Sequence, residues 1–306
     1  MRRTQVAGLT ESAGAIRRRP VTDISRRSAL HIGGVALAGM AIRQASAAHP
    51  RIVFGVNRNY YEEFTTAVPG ARAVRIYYSV ENVFPAQWPN RLPGAWVTLS
   101  IRPHPGDLLR GRLDSQIREL VDSAPPCSEL SIWHEAGPGN PLRYPAYINA
   151  DSMYHMHAHM QHLCRGTNVR YGSIISGPAN QCQAWLGRNL DWYGTDQYDN
   201  PRFHNADGTL SQAKLYQRMD ANLATWRKVA GTPHPAIRIC ETNSPSDSHR
   251  AHWFSLLAAW MAHNNGHRIL TYWNPEHGSA AGGLSGAWPP SRRVVSQLAA
   301  LARTYR

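Results

Sequence analysis

From residue 52 onward the chain alternates short apolar runs with longer amphipathic ones. Eight short runs read as strands, at 52–56, 73–79, 95–101, 129–134, 169–176, 191–196, 236–241 and 268–273. They are rich in Val, Ile, Tyr and Trp, and several are apolar almost throughout, as parallel strands covered on both faces are. The longer runs carry helical stripes. In "LDSQIRELVDS" the stripe is Leu113, Ile117, Leu120 and Val121; "LSQAKLYQRMDANLATWRKVAG" opens on Ser211 as an N-cap and ends at Gly231. Trp253, Leu256, Leu257, Trp260 and Met261 mark a third helix that stops near Gly266, and "SRRVVSQLAALARTYR" forms a last one. Only the connections after the second and fifth strands, "ENVFPAQWPN" and "NQCQAWLGR", lack a helical pattern. Eight strand–helix units in roughly 250 residues predict a single closed (β/α)8 TIM barrel spanning residues 48–306. The residues after the first strand, "GVNRNYY", lack the glycine fingerprint of a dinucleotide site, so no organic cofactor is expected.

Barrel enzymes work at the C-terminal ends of their strands, and two of those ends carry an acid. In "LSIWHEAGPGN" the fourth strand stops at His134 and Glu135; in "AIRICETN" the seventh stops at Glu241. Both are followed by polar loop. Glycosidic bond cleavage needs two carboxyl groups, one to protonate the leaving oxygen and one, ionised, to attack the sugar. Glu135 and Glu241 are therefore the candidate catalytic pair. Asp196, ending the sixth strand, either binds a sugar hydroxyl or caps its loop, and Arg102 and His104, just past the third strand, are candidate substrate contacts.

Glutamates ending the fourth and seventh strands of an eightfold barrel resemble those of the retaining glycoside hydrolases of clan A. His134 before the first glutamate is similar to the His-Glu motif of the family 26 β-mannanases. The resemblance implies that Glu135 is the acid/base and Glu241 the nucleophile. In "YGTDQY" it places Tyr198 as a hydrogen-bond donor to the nucleophile, and in "TYWN" it places Trp273 under the sugar. It also makes Arg75 the cation that keeps the nucleophile ionised and His134 a positioning residue. The match covers the barrel layout and two short motifs: after His-Glu the family continues with Met, Asn and an aromatic cluster, where this chain has "AGPGNPLRYP". The expected activity is endo-acting hydrolysis of a mannan-like or related β-linked polysaccharide by a monomer. Its rivals are a barrel that binds glycans without cleaving them and a barrel hydrolase of another cell-wall substrate.

Composition adjusts this picture at the N-terminus. Arg26 and Arg27, a weakly apolar run from residue 32 to 42 and Ala45-Ser46-Ala47 have the layout of a twin-arginine export signal over residues 1–47. Its apolar run is too short to span a bilayer, and no later segment reaches 18 apolar residues, so an exported, secreted protein without a membrane anchor is expected. The net charge of +13 falls to +7 once those 47 residues are set aside, with no basic run in the remainder; nucleic acid is not an expected partner. Cys127, Cys164, Cys182 and Cys240 form no CxxC pair. In an oxidising compartment Cys127 and Cys164, expected at one end of the barrel, are the candidate disulfide, with four free thiols as the alternative. His155, His159 and His162 share one face of the helix in "MYHMHAHMQHLC" beside an apolar stripe of Met156, Met160 and Leu163. That face is read as solvated, and no metal is expected.

Overall fold

The computed structural model of the 306-residue chain describes residues 52–57, 61–89, 94–138, 144–244, 247–264, 268–272 and 292–305. The expected leader, 1–47, and Trp273 lie outside the described residues. Eight parallel strands close into a barrel in chain order: β1 Ile52–Asn57, β2 Ala73–Tyr77, β3 Trp96–Ile101, β4 Ser128–Ile132, β5 Val169–Ser176, β6 Trp192–Asp196, β7 Ile237–Thr242 and β8 Arg268–Tyr272. The helices are α1 Tyr61–Ala67, α2 Pro105–Leu108, α3 Asp114–Asp122, α4 Ala150–Cys164, α5 Gln212–Ala230, α6 Asp247–His263 and α7 Arg292–Thr304. Among the described residues no helix follows β2, and β5 is followed only by a 3-10 turn, Gln183–Trp185. No described helix is long and apolar enough to cross a membrane.

The helix ends follow local chemistry. Ser211 caps α5 by accepting a hydrogen bond from the Lys214 amide, and Gly231 ends it at φ 63. Asn149 and Ser152 cap the start of α4 reciprocally. The outward faces of the strands supply Leu99, Ile101, Leu130, Ile132, Ile175 and Ile239 to the layer between barrel and helices, each contributing roughly 1.5–3 kcal/mol by burial.

The inward face is unusually polar. Register aligns Arg75 with Thr98, Thr98 with Glu129, and Glu129 with Arg170, so these side chains share the barrel interior. Arg75, Thr98, Glu129 and Arg238 are all buried there. Beside them Ile174, Trp192 and Cys240 form a small apolar plug. It depends on Gly172, where an added Cβ would come within 2.1 Å of the Trp192 ring.

The four cysteines correct the disulfide expectation: all are free thiols. Cys127 is exposed in a left-handed turn (φ 69) before β4, whereas Cys164 closes α4 on its buried face. Burial pushes the Cys164 thiol up to about 12.

Candidate active site

Two irregularities at the C-terminal rim aim the candidate carboxylates. β4 stops at Ile132, two residues before the expected end, because Trp133 and Glu135 both take left-handed backbone conformations, φ 41 and φ 65. Such conformations are costly for side-chain-bearing residues and persist only where surroundings hold them. Here the Trp133 amide donates to Ile101 O at 3.0 Å, Trp133 Nε1 to Pro103 O at 2.7 Å, and the Glu135 amide to Ile174 O at 3.0 Å. Tyr144 Oη clamps His134 O at 2.5 Å. His134 and Glu135 are consequently fixed and buried.

β7 uses a bulge. Thr195 aligns with Ile239, but the next β6 residue, Asp196, aligns with Glu241, so one extra residue sits on β7. Strict alternation from inward Arg238 would point Glu241 outward with Ile239. The bulge turns it inward beside Asp196 instead.

Glu135, Asp196 and Glu241 each bring a carboxylate oxygen within 4.8 Å of the other two, and all three residues are buried. Glu241 is held by two phenols: Tyr77 Oη donates to Oε1 and Tyr198 Oη to Oε2, the latter at 2.5 Å. Burial first, then the Glu241 charge, raise Tyr198 well above the usual tyrosine range. Burial does the same for Tyr77, although Arg75 opposes it. Both phenols therefore remain donors. Arg75 Nε stands 4.0 Å from Glu241 Oε1, donates to Tyr77 Oη at 2.8 Å, and its Nη2 reaches Ser100 Oγ at 3.0 Å. Burial alone would lower the Arg75 pKa; Tyr77, Cys240, Asp196 and Glu241 together raise it, so the guanidinium stays charged. The His134 ring lies 4.9 Å from that of Tyr77.

Of the residues expected at the site, the structure brings together Glu135, Glu241, His134, Asp196, Arg75 and Tyr198. Arg102 and His104, past the end of β3, make contacts of their own. Arg102 Nη1 donates to Ser79 O at 3.1 Å and its guanidinium lies over the Trp133 and Tyr144 rings. His104 caps α2, accepting from the Gly106 amide at 3.1 Å. Tyr77 was not anticipated, although the Arg75-x-Tyr77 spacing puts both on one face of β2.

A second set of possible metal ligands, Asp199, His204 and His249, lies nearby. Both Asp199 oxygens are already engaged, Oδ1 by His204 Nε2 at 2.7 Å and Oδ2 by Ser244 Oγ at 2.8 Å. That trio is accounted for as a hydrogen-bonded brace joining the loops after β6 and β7. The histidines of α4 divide by face. His155 is exposed, His159 bonds Asp114 at 2.7 Å, and the buried member is His157, bonded to Tyr171 at 2.7 Å.

No family profile matches the sequence, and no curated protein does. Solved structures do match in fold. A glycoside hydrolase family 5 (subfamily 4) endo-β-1,4-glucanase from Bacillus licheniformis aligns with a TM-score of 0.52 at 11% identity. The alignment covers 84% of this chain and 60% of that one, so this chain spans less than two thirds of that protein. Thermotoga maritima Cel5A, solved with mannotriose, aligns at 0.51 and 12% identity over 82% and 98% of the two chains. A glucosidase from Croceicoccus marinus aligns at 0.53 and 10% identity over 84% and 67%. At such identities the likeness establishes the shared (β/α)8 barrel.

Proposed function

We propose that the protein is a glycoside hydrolase that cleaves β-linked polysaccharide with retention of configuration. The observation that carries this reading is the approach of the Glu135 and Glu241 oxygens to within 4.8 Å across the barrel mouth. A retaining pair works at about 5 to 5.5 Å between carboxyl groups, whereas an inverting pair needs about 6.5 to 9.5 Å to admit a water. In the first step Glu241 attacks the anomeric carbon as Glu135 gives its proton to the departing oxygen. In the second, Glu135 takes a proton from water, and the resulting hydroxide equivalent displaces Glu241 from the sugar. Tyr77 and Tyr198 orient the attacking carboxylate, one phenol on each oxygen. Arg75 supplies positive charge without closing on the nucleophile, and His134 packs beside Tyr77. The reaction so written requires no metal or organic cofactor. The fold shared with hydrolases of β-glucans and of related glycans supports the substrate class, with internal cleavage by a monomer as the working form. Export through the twin-arginine leader would put the enzyme where such polymers occur.

The test is hydrolysis of mannan, xylan and β-glucan oligosaccharides followed by proton NMR. The expected first product carries the β anomer, and Glu241→Gln abolishes its formation. An α anomer formed first would exclude retention, and failure of the wild-type protein on every glycan would exclude hydrolysis.

A further inference from the structure

Next to the carboxylate pair lies a cavity of about 330 Å³, the lower end of the range for sites that enclose a small ligand. Glu135, Asp196 and Tyr198 line it, but Glu241 does not. It therefore opens on the side of the residue that protonates the departing oxygen, which is where the leaving sugar must sit. Its outer wall is cationic: Arg202, in the 3-10 turn Pro201–Phe203, and Arg218, on α5, both face it.

Arg218 is placed as if for an anion. Its Nη1 is buried and meets no acceptor among the described residues. Burial and the charge of Arg202 depress its pKa, opposed only by the Cys182 thiol, itself pushed up to about 11 by burial and so neutral. Arg202 is tethered rather than free, its Nε donating to Asn200 Oδ1 at 2.8 Å and its guanidinium lying 5.5 Å over the Phe203 ring. A buried donor without an acceptor is unfavourable, and so are two like charges lining one cavity. An anion between them relieves both. A carboxylate suits this arrangement because its two oxygens match the planar fork of a guanidinium.

We propose that this cavity is a leaving-group subsite for an acidic sugar, its carboxylate held between Arg202 and Arg218. The proposal rests on the hydrolase reading and narrows it to β-glycans that carry uronic acid.

The test separates binding from turnover. Glu241→Gln protein is titrated calorimetrically with a uronic-acid-bearing oligosaccharide, its neutral hexose counterpart and a sulfated counterpart. The uronate is expected to bind at least about tenfold more tightly than the neutral sugar, the scale of one charge-assisted bidentate contact, and to weaken as salt rises. Adding Arg218→Gln is expected to bring that ratio near one. Adding Arg202→Gln instead, at an exposed position where folding tolerates the change, is expected to lower it, with thermal melting of each variant as the folding control. Equal affinities, or a preference that survives both substitutions, would overturn the subsite. Stronger binding of the sulfated sugar would overturn the carboxylate assignment. A protein that prefers the uronate yet cleaves nothing keeps the subsite and loses the hydrolase reading. One that cleaves acidic and neutral glycans alike, with equal affinity, loses the subsite alone.

Discussion

At the N-terminal end of the barrel, Arg238 of β7 and Glu129 of β4 meet head-on. Arg238 Nε lies 3.0 Å from each Glu129 oxygen and Nη2 is 2.5 Å from Oε1, while Thr98 Oγ1 donates to Oε2 at 3.2 Å. At the C-terminal end, Arg75 and Glu241 are also buried, but 4.0 Å separates them and phenols occupy the oxygens. The lower pair has its charges cancelled by direct, near-complete hydrogen bonding. The upper pair keeps its cation close enough to favour the carboxylate while leaving that carboxylate to neutral donors. A buried ion pair closed on itself is structural; one held open is available for chemistry.

Substituting each carboxylate should break the comparison in opposite directions. Glu241→Gln should lower kcat on the order of 10⁴-fold, since the proposed nucleophile is removed, with little change in the denaturation midpoint. Glu129→Gln should do the reverse, leaving Arg238 buried without its counter-charge and costing about 3–5 kcal/mol in urea unfolding. A paired Glu129→Met, Arg238→Met replacement should recover most of that loss. If Glu129→Gln instead abolished turnover with an unchanged midpoint, the division between the two pairs would fail.

The strands were legible because their outward residues and chain-end turns give an apolar signal that the parallel sheet requires. The interior was not. Glu129 and Arg238 sit inside runs that read as apolar almost throughout, and a residue type does not announce its partner across the barrel; Arg75 was reached only through the family resemblance. Glu135 and Glu241 were found by position at strand ends, yet the devices that aim them, the left-handed turn at Trp133–Glu135 and the bulge at Cys240–Glu241, depend on tertiary contacts. Arg102 and His104, chosen for the rim they occupy, also act as a loop anchor and a helix cap. Arg218 lay hidden on α5, whose stripe marks a helix but not the cavity beside it.

A third buried titratable group sharpens the same contrast, because it is satisfied by neutrality rather than by an ion partner. Burial drops the His157 pKa to about 4, only partly offset by a backbone hydrogen bond at Trp185. The unfolded chain, with its histidine near 6.5, takes up the proton first as pH falls. Between pH 6.5 and 4 the unfolded state therefore binds more protons, and stability declines with falling pH. The expected loss is about 3 kcal/mol by pH 4. His157→Gln should flatten that part of the stability–pH curve measured by denaturant unfolding, while His155→Gln, at an exposed position, should not.

The tyrosines offer the finest test of the open pair. Tyr198→Phe and Tyr77→Phe each remove one hydrogen bond to the Glu241 carboxylate, a contact to a charged group worth about 1.5–3 kcal/mol. Each should lower kcat about 10- to 100-fold and leave KM nearly unchanged if the bond orients the nucleophile rather than the substrate. Burial holds both phenols well above the ordinary tyrosine range, so neither loses its proton as pH rises toward 10, and the alkaline limb of the wild-type rate profile should persist in both variants. Tyr77 also accepts from Arg75 Nε, so its removal frees the guanidinium to close on Glu241. Tyr77→Phe should then be the more damaging of the two, because it turns the open pair toward the closed arrangement seen at Arg238 and Glu129. Equal losses at the two positions would mean that Arg75 is held off the nucleophile by Ser100 and the strand backbone rather than by the phenol.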